Sequence, residues 1–298
     1  MARHIFRILG LAVALTMMLS AHVGPAAAST MTPAADSRLV GTWINSDPNT
    51  GSIKQVVIRG LSDGGLIVDA FGACGGGLCE WGRVSATVYG PNVSAKTGTH
   101  FRTNQRFLSG DSTFARTVLF GNVVSTTNGP RLIVRKLTVF TDGSGRRNYT
   151  GTDVFVPGQG AAPTTNGHAV SGFAHGVAPQ ALSGLFGKWK NVSSTPAVAG
   201  LDIINSGGAP VVQGWGACSP SACDMGKVRA ITFGTTISST VGRTLLAPFS
   251  FGFKNEQLVI THSRTSDGRE QLIVSNYNQF TDGSGRSNYM KVERFVRA

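Results

Sequence analysis

Apolar and polar positions alternate along this chain over short runs cut by Gly, Asn, Asp and Ser, and no stretch keeps a helical period. Alternation with a period of two marks strands with one covered face. It predicts strands at 40–46, 53–60, 65–72, 79–89, 101–108, 115–126, 131–140 and 149–156. A second series is predicted at 185–191, 199–206, 209–217, 223–233, 243–253, 257–264, 270–280 and 289–296. The two series share landmarks. Leu39–Asn45 (LVGTWIN) answers Leu185–Asn191 (LFGKWKN), and Phe140–Tyr149 (FTDGSGRRNY) answers Phe280–Tyr289 (FTDGSGRSNY). Most of the chain is therefore one β unit written twice. The expected fold is all-β: two tandem antiparallel modules of about eight strands each, as up-and-down barrels or compact sandwiches. Closure into a barrel would also hide the sheet edges.

The ends and the middle lack this alternation. Arg3 and Arg7, an apolar run from Ile8 to about Leu19, and Pro25-Ala26-Ala27-Ala28 read as a secretory signal cut near Ala28. Residues 29–37 are expected to form a mobile leader and 38–157 the first module. Residues 158–184 carry no Lys, Arg, Asp or Glu and are rich in Gly, Ala and Pro. They read as a flexible linker to the second module at 185–298. No other segment approaches the roughly 18–20 apolar residues of a spanning helix, so a secreted chain with no transmembrane segment is expected.

Charge narrows the class of partner. The chain holds 27 Lys and Arg against 15 Asp and Glu, a net charge of +12, and the signal accounts for only Arg3 and Arg7 of the excess. The excess is spread over both modules without long runs of like charge. Such a surface favours anionic polysaccharide or a cell-wall polymer. No aromatic and basic pattern of a nucleic-acid module is present, so no specific nucleic-acid partner is expected.

Four cysteines stand as two equally spaced pairs, Cys74-x4-Cys79 and Cys218-x4-Cys223. In an exported chain they read as two local disulfides, each worth about 2 kcal/mol for so short a loop. A four-thiolate zinc site is the alternative. The fillings GGGL and SPSA differ while the frame stays intact. That suits a braced hairpin tip, or a rigid binding loop flanked by Trp81 or Trp215. In TDGSGR the Asp-Gly and Ser-Gly pairs signal a turn. Asp142, Ser144 and Asn148, with Asp282, Ser284 and Asn288, offer too few carboxylates for calcium, so no metal and no cofactor is expected.

Catalytic sets are hard to assemble. Outside signal and linker only His100 and His262 remain, at non-equivalent places, without GxSxG or HExxH. No catalytic residue is assigned, and an enzyme is not the favoured reading. Phe249, Phe251 and Phe253 alternate along one predicted strand and suit a core face, a cavity lining or a stacking platform.

The opening Gly41-Thr42-Trp43 resembles the Gly-x-Trp first-strand signature of lipocalins and the start of avidin-type barrels, as does Gly187-Lys188-Trp189. The resemblance implies eight-stranded barrels, each closed at one end by its tryptophan and able to hold one small ligand. Gly-Ala-Cys-x4-Cys-Asp/Glu-x-Gly combined with Phe-Thr-Asp-Gly-Ser-Gly-Arg-x-Asn-Tyr is similar to repeats in uncharacterised secreted bacterial proteins, which implies no activity. The expectation is thus a secreted, non-catalytic binding protein. Arg83, Arg146, Lys227 and Arg286 near the shared loops would contact an anionic or glycan-bearing surface, and duplication would raise avidity. Alternatives are a carrier of a small apolar ligand in the barrel interiors, or an inhibitor of an exported hydrolase acting through the braced loops.

Overall fold

The structure is a computed structural model and describes residues 32–74, 77–109, 112–159, 176–179, 181–182 and 184–298. The signal at 1–28 lies outside the described residues. Two short strands, β1 (Ala34–Ala35) and β6 (Thr97–Gly98), pair in parallel beside the first barrel. That barrel consists of β2 (Gly41–Asn45), β3 (Ile53–Gly60), β4 (Leu66–Cys74), β5 (Gly77–Tyr89), β7 (His100–Ser109), β8 (Ser112–Thr126), β9 (Gly129–Phe140) and β10 (Tyr149–Pro157). It closes in the order β10-β2-β3-β4-β5-β7-β8-β9, with every barrel pairing antiparallel.

The second module holds β11 (Gly187–Asn191), β12 (Val198–Ser206), β13 (Ala209–Gly216), β14 (Cys223–Arg229), β15 (Ile231–Phe233), β16 (Thr244–Ser250), β17 (Lys254–Arg264), β18 (Glu270–Phe280) and β19 (Tyr289–Arg297). They form a nine-stranded sheet that begins at β14 and ends at β15. The predicted strand 223–233 is interrupted at Ala230, whose N–H turns to the carbonyl of Pro210. One half pairs with β13 and the other with β16, so the same eight-stranded plan is repeated with its seam at this break. The other predicted strands correspond to observed ones within a few residues. The largest shift follows Ser250, where residues 251–253 leave the sheet and 254–256 join the next strand.

Alternation packs each barrel. The inward residues of the first include Trp43, Val56, Ile58, Val68, Phe101, Leu119, Val134 and Phe155, all buried. One end of each barrel is shut by the same device. The Trp43 indole N–H donates to the Leu39 carbonyl at 2.9 Å, and Trp189 donates to Leu185 at 2.9 Å. The opposite end carries the loops 46–52, 141–148 and the cysteine-bearing turn, and that end is open.

One expectation needs correction. The 29–37 leader is pinned over its described part, since β1 pairs with β6 and the Ser37–Leu39 turn buries Leu39 under the barrel. Whether the modules pack together was left open by the sequence, and their outer faces share a core. Tyr89, Val118, Phe120, Leu137 and Val139 pack against Phe233, Leu246, Val259 and Tyr277. Of the linker, residues 160–175, 180 and 183 lie outside the described residues. Val177 accepts from Asn148 N–H at 2.9 Å, and Ala181 N–H donates to Thr240 at 3.0 Å.

Backbone bonds fix this docking with a pseudo-two-fold pattern. Gly90 N–H donates to Asn288 O at 2.9 Å and Met290 N–H donates back to Gly90 O at 2.9 Å. In the equivalent places Gly234 N–H donates to Asn148 O at 3.0 Å and Thr150 N–H to Gly234 O at 2.8 Å. Such reciprocity defines an isologous interface, here inside one chain. Glycine is required at both positions for close approach: a Cβ would sit 2.4 Å from Ala95 Cβ at Gly90, and 2.4 Å from Ser239 Cβ at Gly234.

Candidate functional site

The turn after β9 is built by its sequence. Ser144 N–H donates to Asp142 Oδ1 at 3.1 Å, and Gly143 and Gly145 take φ of 70° and 72°, which suits glycine. Arg146 then folds back on Asp142 at 2.5 Å and lies over the Phe140 ring at 3.9 Å. The second copy is the same: Arg286 meets Asp282 at 2.6 Å and covers Phe280 at 4.0 Å. The repeated decapeptide therefore has two halves. Phe-Thr-Asp-Gly-Ser-Gly-Arg makes the rim of a mouth, and the asparagine that follows, Asn148 or Asn288, bonds the other module through its backbone.

Bonds from Ser144 and the neighbouring Arg146 hold the Asp142 carboxyl down at about 2, and the same partners in the second copy lower Asp282. A depressed carboxylate adds stability that is present above its unfolded value near 4 and is lost as pH falls through the folded one. Asp142→Asn is thus expected to cost a constant amount above about pH 5. That cost should vanish towards pH 2, as read from urea midpoints of both proteins.

Inside this rim the first barrel opens into a cavity of about 870 Å³. Its walls carry Trp81, Phe107, Phe114, Phe140 and Tyr149, with Ser52 and Thr138 lower down. Trp81 stands 5.1 Å from Phe107 and 5.7 Å from Phe114, edge-on to the latter. Ile237 of the second module also reaches this wall, because Arg147 N–H donates to its carbonyl at 2.8 Å. The mouth is complete only when the barrels are docked. Below it the interior turns polar: Lys136 reaches Asp153 and Ser52, Thr117 bonds Thr138 at 3.1 Å, and Gln105 is buried.

The second barrel fills the corresponding space. Where the first has Gln105 and Trp81, register and the motif alignment place Phe249 and Met225. Both pack close to Gly214, within 3.3 Å and 3.1 Å of the point a Cβ would occupy. Phe249, Phe251 and Phe253 stack at 6.3 Å and 6.0 Å between centroids. Of these phenylalanines, expected as core, lining or platform, Phe249 is buried and Phe251 half-buried on the second core, where they act as a plug, while Phe253 is 43% exposed. Beneath them lie buried Glu256, Glu293, Asn276 and Asn278, and burial together with the two glutamates pushes Tyr289 up to about 12.

The residues singled out from sequence are dispersed. Trp81 and Arg146 share the first mouth, whereas Trp215 is half-buried on the second barrel and is not part of that wall. Arg83 binds the fully buried Asp69 at 2.6 Å, and Arg146 and Arg286 are paired within their own turns. Among the described residues, only Lys227 of the four proposed cations is exposed and forms no ion pair. Cys218 and Cys223 form a disulfide and Cys79 is also disulfide-bonded, which takes away the thiolates a zinc site would need. The side chain of Cys74 and residues 75 and 76 lie outside the described residues. His100 and His262 are in different barrels, burial lowers both, and neither lines the mouth.

Sequence reasoning missed Phe107, Phe114, Gln105 and Ile237. Phe140 and Tyr149 were visible as the residues flanking the repeated turn, but their convergence needs the barrel. The chain matches no protein-family model, and a comparison with curated proteins gives no match either.

Proposed function

We propose that this is a non-catalytic binding protein whose first barrel takes a small, largely apolar, ring-bearing ligand in its mouth. The supporting observation is the aromatic cavity of about 870 Å³, set against the plugged counterpart in the second barrel. Its volume lies in the range of small-molecule sites, roughly 300–1,000 Å³. Aromatic walls offer flat faces for stacking, while Thr138 and Ser52 beneath them orient polar substituents. The second module serves the first as a wall, through Ile237 and the shared core. Secretion follows as part of the same proposal from the signal-like start of the chain.

The dye anilinonaphthalene sulfonate provides a direct test. It should bind with a single-site enhancement, and Trp81→Ala should weaken binding about tenfold, equivalent to about 1.4 kcal/mol. Trp215→Ala should leave it unchanged. Equal effects from both substitutions would contradict a site in the first mouth.

A further inference from the structure

Among the described residues that line the first cavity, Ile237 alone belongs to the second module. It stands in the loop after β15, at the closed end of its own barrel, so that end of the second barrel meets the mouth of the first. The backbone of this loop is fixed. Arg147 N–H donates to Ile237 O at 2.8 Å and Thr150 N–H to Gly234 O at 2.8 Å. Within the loop, Thr236 N–H donates to Ser239 Oγ at 2.9 Å and Ser239 N–H returns to Thr236 O at 3.2 Å. The isoleucine side chain, by contrast, is 47% exposed. On an open surface a lone exposed isoleucine needs no explanation. Here a rigid loop holds it at the wall of an aromatic cavity, on the side where Tyr149 pairs with Gly234.

The rings of the cavity fall into two groups. Trp81, Phe107 and Phe114, from β5, β7 and β8, lie within 6.1 Å of one another between centroids. Phe140 and Tyr149 stack at 5.9 Å on either side of the repeated turn, and Ile237 joins their side through the bonds to Arg147 and Thr150. A volume of about 870 Å³ is near the top of the range for small-molecule sites and leaves room for more than one ring system. Val93 holds the equivalent place at the second mouth, where its carbonyl accepts from Ser287 N–H at 2.8 Å and its side chain is 42% exposed. The phenylalanine plug already occupies that mouth.

We infer that Ile237 is a specificity-determining lip of the first mouth, and that it selects a ligand with two linked ring systems. One ring seats among Trp81, Phe107 and Phe114, and the other covers Ile237 beside Phe140 and Tyr149. The inference rests on the reading of the first mouth as a binding site. Taking the isoleucine surface out of water favours a ligand long enough to reach it. A ligand confined to the inner three rings gains nothing from it. The second module, whose own mouth is plugged, thereby supplies the residue that sets the reach of the ligand in the first.

The test is fluorescence titration of the whole chain with two probes, anilinonaphthalene sulfonate and aminonaphthalene sulfonate, which is the same dye without its phenyl ring. Ile237→Ser should weaken the first about fivefold and leave the second within about twofold. Ile237→Leu should keep both affinities. Urea midpoints should stay near that of the parent chain, because the side chain is half exposed and the anchoring bonds are made by the backbone. Val93→Ser should change neither dye, whereas Trp81→Ala should weaken both. If Trp81→Ala weakens both dyes but Ile237→Ser weakens neither, or both equally, the inference is overturned and the mouth still stands as a site. Trp81→Ala without effect on either dye would remove the mouth as a site, and the lip with it.

Discussion

Replacing Leu137 with aspartate is expected to destabilise the entire chain by about 4 kcal/mol or more, because the site is a core position. Leu137 is fully buried where the two barrels meet, beside Phe120, Val139 and Tyr277. A carboxylate there would lose its water without gaining a partner. Against a typical folding stability of about 5–15 kcal/mol, most of the margin would go. Leu137→Ala should cost about 2–5 kcal/mol through the cavity it leaves. Were the barrels separate beads on a linker, Leu137 would lie on an outer face and aspartate would cost no more than about 0.5 kcal/mol. Urea unfolding followed by tryptophan fluorescence distinguishes these outcomes, and it should show one transition for the parent chain, not two.

The second large effect is expected inside the first barrel. Lys136 and Asp153 are 2.5 Å apart, with side chains only 5% and 12% exposed. Lys136→Met would leave the Asp153 carboxylate with the Ser52 hydroxyl as its remaining donor. Breaking a buried pair from one side costs about 3–5 kcal/mol, since the orphaned charge stays desolvated. Removing both charges, as Lys136→Met with Asp153→Leu, should recover most of that loss. A single substitution as harmless as the double one would show that the pair is solvated. If ligand binding also fell only in the charge-free double variant, the pair would be acting on the ligand and not on the fold.

The barrel plan was legible because inward and outward positions differ in chemistry along nearly every strand. Trp43 and Trp189, Phe101 and Phe155 sit where alternation puts them. The contact between barrels was not legible, although its trace was present. Val118-Leu119-Phe120 and Leu137-Thr138-Val139-Phe140 break the alternation with continuous burial. A run of that kind reads the same whether the second face is covered by a partner module or lies inside a thicker sandwich. Short backbone contacts at Gly90 and Gly234 leave no side-chain signal at all.

The site was half legible for a similar reason. Trp81 and Arg146 were found through their repeated frames, but repetition itself misled about their roles. The near-identity of the two decapeptides reports a shared rim and a docking backbone at Asn148 and Asn288, which both copies need. What separates an open mouth from a closed one is the unrepeated pair, Gln105 against Phe249 and Trp81 against Met225. Differences between copies set the two mouths apart, and likeness carried the architecture.

Native mass spectrometry of the freshly purified chain, with and without Gln105→Phe, tests the central claim most directly. An open first mouth beside a plugged second one predicts one bound small molecule per chain, lost when Gln105 is replaced by the phenylalanine that closes the second barrel. Two bound molecules per chain, or one that survives Gln105→Phe in a folded protein, would contradict it.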